Sequence, residues 1–380
     1  MQEDQRIIHL WQETLDQAFL EKATDVHVEA QEEFTLIRFR IDGNLRTYRR
    51  IKGGFHEHLC AHIKVLAQLD IAEKRLPQDG RLQFTPEQMV GANGANDAKT
   101  IHHIIDCRVS TLLTVHGEKI VVRLLTHPNG QFRLEQLGYD AQQINDVRSS
   151  LHAPQGLILV TGPTGSGKTL TLYTFLALLN DGSRNISAVE DPPEILLPGI
   201  NQVAVNEKSG MDFSKSLRAM LRQDPDVIMI GEIRDAVTAQ TALQAAQTGH
   251  LVLASLHTNN CVSTITRLRN LGCEQDVLAQ CLLLVTAQRL IRKICTACSA
   301  HQPNCPECKN TRYSGRFAVH EVLKMNSMIR NSIENNQCPN ELSKLAEMHG
   351  MRSLSAQGHL LVKSGKTTAS EVLSKIGDDE

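Results

Sequence analysis

Aromatic residues are scarce: phenylalanine, tyrosine and tryptophan make up 4% of the 380 residues, with a single tryptophan, Trp11. That leaves few of the stacking platforms on which single-stranded nucleic-acid binders lay bases. Neither charge dominates. Forty Lys and Arg stand against 42 Asp and Glu, a formal net charge of −2. The chain therefore has no global basic footprint, which argues against nucleic acid as its main partner and leaves only a local patch open. No apolar run comes near the length that spans a bilayer, and Met1-Gln2-Glu3-Asp4 is not a signal peptide. The expected place is the cytoplasm, with room for docking on a membrane complex. Internal repeats are also lacking. What is present is the composition of a soluble globular protein, 41% apolar and 22% charged. The length is too great for one ordinary core and predicts two or three domains.

The strongest local signal is Leu157-Ile158-Leu159-Val160-Thr161 followed by Gly162-Pro163-Thr164-Gly165-Ser166-Gly167-Lys168-Thr169 and then Leu170-Thr171-Leu172-Tyr173. This is strand, glycine-rich loop and helix, the context in which G-x-x-x-x-G-K-T reads as a phosphate-binding loop. Glycines let backbone N–H groups turn around phosphate oxygens, and the helix start adds the positive end of its dipole. Lys168 is placed to reach the β- and γ-phosphates, and the Thr169 hydroxyl to ligate Mg²⁺.

Before that loop the pattern predicts an α+β domain with an antiparallel sheet. A helix is expected over 6–22 and another from His56 to Leu69. Strands are expected at Val26–Val28, Ile37–Ile41, Gly80–Phe84, Asp106–Val115 and Lys119–Leu125. Asp42-Gly43 is a hairpin signal. Gly91 to Asn96 reads as an exposed loop and Thr126 to Gly130 as the linker. From 157 onward strands and helices alternate, the mark of a parallel or mostly parallel sheet. Strands are predicted at 157–161, 186–189, 227–231 and 251–256. Helices are predicted at 140–151, 168–179, 212–223 with Asp212 as N-cap, 236–247 and 276–292. The part beyond about 325 reads as helical.

Ligands of open α/β sheets bind beyond the carboxyl ends of the strands. The residues just past each predicted strand are Glu190 and Asp191, then Glu232, then His257. An ATP-hydrolysing site needs an acidic group near Mg²⁺ and a group to orient the attacking water. Glu232, ending an apolar strand, is the leading candidate and Glu190 the second. His257 is a candidate to sense the γ-phosphate or to hydrogen-bond a catalytic carboxylate, or else only caps a turn.

Residues 187–258 resemble the signature region of the motor ATPases of type II secretion and type IV pilus assembly. The matching stretches are Glu190-Asp191-Pro192-Pro193-Glu194, Gly199 to Val203, Leu221 to Asp226, Gly231-Glu232-Ile233-Arg234-Asp235, and Thr248 to Leu251 through Leu256 to Asn259. Thr24 to Glu29, Arg38 to Gly43 and Leu76 to Arg81 resemble the family's other domain. The resemblance implies a RecA-like ATPase core over 151–294 and a smaller PAS-like α+β domain over 1–126. It further implies a linker and lead-in helix over 127–150, a zinc element over 295–316 and a mainly helical part over 317–380. It makes 190–194 the aspartate box, Glu232 the catalytic carboxylate, and 249–258 the histidine box with His250 and His257. It also brings arginines of the N-terminal domain towards the nucleotide phosphates. Arg81, Arg108 and Arg123 are the matching ones, with Arg75 beside them. The implied protein is a hexameric homo-oligomer using ATP and Mg²⁺. It would be held peripherally at the inner membrane by a platform protein of the secretion or pilus system, with no direct nucleic acid. Secretion and assembly members usually carry a further N-terminal domain before this region, and shorter members, among them those serving DNA-uptake pili, do not.

Ten cysteines fit a reducing compartment in which scattered ones are buried hydrophobes and a tight cluster is a metal site. Cys295-x-x-Cys298 and Cys305-x-x-Cys308 have the paired spacing that tetrahedral Zn²⁺ requires, with Pro303 and Pro306 suited to the knuckle turns. The family's secretion and assembly members carry a tetracysteine element here. The segment between pairs, Ser299 to Asn304, is shorter than in typical members. The competing reading of the whole chain is a nucleic-acid translocase or helicase built on the same ATPase core. Its support is the cysteine cluster and the basic alternation at Arg38 and Arg40.

Overall fold

The structure, a computed structural model, describes residues 2–52, 54–86, 104–125, 132–206, 209–297 and 305–377. They belong to two compact units, Met1–Asn129 and Gly130–Glu380. The linker expected at 126–130 and the loop expected at 91–96 lie outside the described residues.

The first unit opens with helix α1 (Gln2–Leu20) and continues through β1 (Asp25–Ala30), β2 (Phe34–Ile41), β3 (Asn44–Lys52), α2 (Phe55–Leu66), β4 (Gln78–Phe84), β5 (Ile105–Thr114) and β6 (Gly117–Leu125). The strands form one antiparallel sheet in the order β3-β2-β1-β6-β5-β4. Asp42 and Gly43 both take positive φ, 49° and 85°, between the paired residues Ile41 and Asn44. This is the two-residue turn whose twist matches the strands it joins. Alternation decides the faces. Val26, Val28, Ile37, Phe39, Val109 and Val122 point to the core shared with Trp11, Leu15, Leu59 and Ile63 of the two helices.

In the second unit a 3₁₀ turn (Leu134–Leu137) leads into α3 (Ala141–Leu151), β7 (Gly156–Thr161), α4 (Lys168–Leu179), β8 (Ile186–Glu190), β9 (Asn201–Ala204) and α5 (Phe213–Met220). Next come β10 (Val227–Ile230), α6 (Ala236–Gln247), β11 (Leu251–Leu256), α7 (Cys261–Asn270), α8 (Gln275–Cys281), β12 (Leu282–Ile294) and β13 (Tyr313–Lys324). The chain continues into α9 (Ser327–Glu334), α10 (Pro339–Met348), α11 (Leu354–Lys363) and α12 (Ala369–Ile376). The sheet order is β13-β12-β7-β11-β10-β8-β9, parallel except for β13. Strand β11 is thus interposed between β7 and β10. Apolar cores lie on both faces, so β7, β8, β10 and β11 are buried at every position. That is why they read as continuous apolar runs. Asp212 caps α5 by accepting from the Lys215 N–H at 2.7 Å, and Asn260 and Ser263 close a capping box on α7.

The helix expected over 276–292 is corrected. Helix α8 stops at Cys281, and Leu282–Ile294 is a strand lying parallel to β7 and antiparallel to β13. A strand covered on both faces shows no period of two, and its apolar run is not distinguishable from a buried helix by spacing. The sheet consequently runs past residue 294 into β13. Among the described residues no helix is long and apolar enough to cross a membrane.

Candidate functional site

The glycine-rich loop leaves β7 at its carboxyl end. Gly162, Gly165 and Gly167 have φ of 146°, 77° and 92°. At Gly162 a Cβ would lie 2.5 Å from the Gln288 carbonyl oxygen and 2.7 Å from Ser166 Oγ. Only glycine fits there, and the turn is set by that contact. Pro163, Thr164 and Gly165 are exposed, Ser166 is buried, and Thr169 is half-buried in the first turn of α4. Gly167 is the residue before that helix, which starts at Lys168. Lys168 Nζ donates to the carbonyls of Gly162 at 2.7 Å and Pro163 at 3.1 Å. Burial pushes the Lys168 amine down to about 8; Glu232 opposes the shift and Arg289 adds to it.

Glu232 follows β10 by two residues. Gly231 before it donates to Val189 O at 2.8 Å and accepts from Ser255 Oγ at 2.5 Å, and Ile233 donates to Ser255 O. The turn is therefore tied to both neighbouring strands. The Glu232 carboxylate pairs with Arg234 and lies 3.2 Å from His257 Nε2. Burial alone would raise its pKa, but Arg234 and His257 outweigh burial and hold it below the ordinary carboxylate range. Arg234 also reaches Asp191, at 3.6 Å. Lys168, Glu232 and His257 are thus brought together at the ends of three strands.

Glu190 has a different environment. Its side chain is buried and accepts from the Tyr173 hydroxyl and, at 2.9 Å, from Gln202 Nε2. The same Tyr173 oxygen accepts the N–H of Glu194 at 3.1 Å. The carboxylate is held inward, tying α4 to the segment after β8. His250 and His257 are separated by the whole of β11, about 20 Å at 3.3 Å per residue. His250 Nδ1 is 3.0 Å from Ala245 O, at the far end of the sheet from the glycine-rich loop.

The three arginines proposed in the first unit stand side by side. Register pairs Arg81 with Arg108, Arg108 with Arg123, Arg123 with Asp25 and Asp25 with Arg40. Arg123 Nε donates to the buried Asp25 carboxylate at 2.9 Å, and Arg40 lies 3.7 Å from it. Arg75 is not on this row; it is exposed and pairs with Glu73. Arg81, Arg108 and Arg123 thus stand on one line of register, with Arg40 on the same line beyond the acidic Asp25.

Cys295, Cys305 and Cys308 are buried with their sulfurs within 4.8 Å of one another, and Cys295 Sγ is 3.9 Å from Cys305 Sγ. Two sulfurs of a tetrahedral zinc site with Zn–S of about 2.3 Å lie roughly 3.8 Å apart, so this donor set fits the metal. Cys298 lies outside the described residues.

Sequence reasoning missed Gln288 and Arg289 because they sit on the strand read as a helix. Tyr173 was hidden in α4, a helix buried on every side from Thr171 to Leu176. The arginine row, Arg40 included, is visible only once register is known.

A family model for type II/IV secretion system proteins matches residues 1–374. The chain belongs to this family. It is 44% identical over 378 residues to the type II secretion system protein HxcR of Pseudomonas aeruginosa, an alignment covering 98% of this chain and 78% of HxcR. It is 38% identical to the type IV pilus assembly ATPase PilB of Thermus thermophilus, over 96% of this chain and 42% of PilB. The crystal structure of the pilus retraction motor PilT with bound ADP superposes with a TM-score of 0.66 at 27% identity, covering 97% of each chain. The fold of the second unit is that of a RecA-like secretion ATPase, with β11 interposed between the glycine-loop strand and the Glu232 strand.

Proposed function

We propose that this secretion-family protein is an ATP-hydrolysing motor, working as a hexamer to power assembly of a type II secretion pseudopilus or a type IV pilus at the cytoplasmic face of the inner membrane. The observation that carries the reading is the ionised Glu232, hydrogen-bonded to His257 and within electrostatic reach of the loop lysine, Lys168. Gly162 to Thr169 would receive the phosphates, Lys168 turning from the loop carbonyls to the β- and γ-oxygens. Thr169 would hold Mg²⁺, which supplies charge neutralisation on those oxygens when bound. Glu232 would accept the proton of the attacking water while His257 keeps its carboxylate oriented. Glu190, tied by Tyr173 and Gln202, would shape the Asp191–Glu194 segment rather than touch water itself. Arg81, Arg108 and Arg123 would meet the phosphate charge from the N-terminal unit. Zn²⁺ on Cys295, Cys298, Cys305 and Cys308 would be structural, and an inner-membrane platform protein the docking partner.

The test is phosphate release by the full chain with ATP and Mg²⁺, with and without DNA. Steady hydrolysis that is lost in Lys168→Ala and indifferent to DNA is expected. Hydrolysis that depends on DNA, with salt-sensitive DNA binding, would move the assignment to a translocase. Metal analysis of the purified chain should find one zinc, lost in Cys305→Ser.

A further inference from the structure

The register of β12 puts two polar residues where they meet the loop and the turn that build the nucleotide site. Ala287 pairs with Thr161, the last residue of β7, so Gln288 comes level with Gly162 and the chain alternates faces from there. Gln288 is buried, and both ends of its amide are engaged. Nε2 donates to the Ser166 carbonyl at 2.6 Å, and Oε1 accepts from Thr171 Oγ1 at 2.9 Å. Its backbone oxygen is the atom that forbids a side chain at Gly162, and its Nε2 lies 3.2 Å from where a Cβ of Gly167 would be. One residue thus touches the first and last glycines of the loop, its serine and the first turns of the helix behind it.

Arg289 points to the other face and is also buried. Its guanidinium donates to the Gln288 carbonyl at 3.1 Å and to the Asn259 carbonyl at 2.9 Å. Asn259 lies in the turn that follows β11 and begins with His257. The neighbouring Thr258 is fastened to the glycine-loop strand as well: its N–H donates to Thr161 Oγ1 at 3.0 Å, and the two hydroxyls are 2.6 Å apart. The turn with His257 is therefore fastened by Thr161, by Thr264, whose hydroxyl is 2.6 Å from that of Thr258, and by Arg289. The same Arg289 peptide is joined to the glycine loop through Gln288. The planar fork of arginine holds its donors in fixed directions towards the two carbonyls, a geometry that the single-point ammonium of lysine does not reproduce.

We propose that Gln288 and Arg289 are the positioning pair of this site, Gln288 setting the curvature of the phosphate loop and Arg289 holding the Thr258–Asn259 turn so that His257 stays on Glu232. Neither touches nucleotide in this account; each acts through another residue. The inference rests on the nucleotide-site reading above. Arg289 also contributes to the lowered pKa of Lys168, as a second cation close to where phosphates would sit.

The experiment compares the full chain with Gln288→Glu, Arg289→Lys, His257→Ala and the Arg289→Lys/His257→Ala double variant. Binding of a fluorescent ADP analogue, steady-state kcat and KM, and thermal unfolding are measured for each. Gln288→Glu keeps the acceptor for Thr171 and loses the donor to Ser166. It should weaken ADP binding at least about tenfold, the effect of roughly 1.4 kcal/mol at the phosphate loop. Arg289→Lys should leave ADP binding unchanged and lower kcat about tenfold, and that loss should vanish in the His257→Ala background, as for residues acting as one unit. The proposal is overturned if Gln288→Glu binds ADP as the wild type does, or if the Arg289 and His257 losses multiply. Should Gln288→Glu fail to fold, the Arg289/His257 cycle alone decides. A wild-type chain that binds no ADP sinks the nucleotide reading itself, and this inference with it.

Discussion

In the six-stranded sheet, charge runs across the face: Arg81, Arg108, Arg123, Asp25 and Arg40 occupy one line of register, two strands of which also carry Glu29 and Arg38 in contact at 2.7 Å. In the inner parallel strands β7, β8, β10 and β11 of the second unit, the single charged residue is Glu190, at a carboxyl end. The contrast follows from what covers each sheet. An antiparallel sheet with one apolar core leaves its other face for polar groups. A parallel sheet between two layers of helices has no such face, and charge survives only where strands end and loop backbone begins. One unit therefore carries its charge across a sheet face, the other where its strands end.

Removing one half of a charge pair buried in the first unit should have the largest effect on stability. Lys64 on α2 and Glu118 on β6 are 2.5 Å apart, 1% and 7% exposed, and Lys64 also donates to Glu73 O at 2.7 Å. Lys64→Met should cost about 3–5 kcal/mol of stability, because Glu118 is left buried without its partner. Urea unfolding measures it, and a change under about 1 kcal/mol would show that this unit does not depend on pairing.

The second unit buries a titratable group on β13 in neutral form. His320 is stacked on Tyr139 at 3.7 Å, with Nε2 2.7 Å from Leu137 O. Burial pushes it down to about 4 from an ordinary 6.5. Between those values the unfolded chain binds the proton and the folded chain does not. Its contribution is complete above pH 6.5 and is lost as pH falls towards 4, about 3 kcal/mol in all. In His320→Gln that acid-dependent loss should disappear from unfolding free energies measured at pH 7 and 4.5.

Lys168 provides a smaller effect at the strand-end site. With its amine lowered to about 8, the protonated form that phosphates need is depleted above that pH. ADP affinity should fall by about tenfold per pH unit there, and a flat profile to pH 9.5 would contradict the placement. The smallest expected change in stability belongs to Arg108→Ala. Removing the middle member of a like-charged row should shift stability by less than about 1 kcal/mol. Hydrolysis should nevertheless fall at least about tenfold if the row meets phosphate.

The strand-end cluster around Glu232 and the arginine row differ in how far sequence reveals them. A parallel strand announces its end, so Lys168, Glu232 and His257 could be read as the residues after three apolar runs. An antiparallel row is written across strands, and residues as distant as Arg81 and Arg123 become neighbours only through pairing; they entered through family resemblance and not through spacing. Glu190 stood at a strand end like Glu232, but Tyr173, four residues beyond Thr169, turns it inward, and nothing in the local pattern of α4 sets that tyrosine apart. The misread β12 concealed Gln288 and Arg289 for the same reason that the inner strands were easy to find: burial on both faces erases periodicity. The capped helices were legible because a single side chain, Asp212 for α5, performs the capping.

We propose that Glu232 accepts the proton of the attacking water while the loop holds phosphate. The direct measurement is phosphate release and fluorescent-ATP binding by Glu232→Gln. Binding within about twofold of wild type and hydrolysis lower by at least about a hundredfold are expected. Undiminished hydrolysis in Glu232→Gln would contradict it.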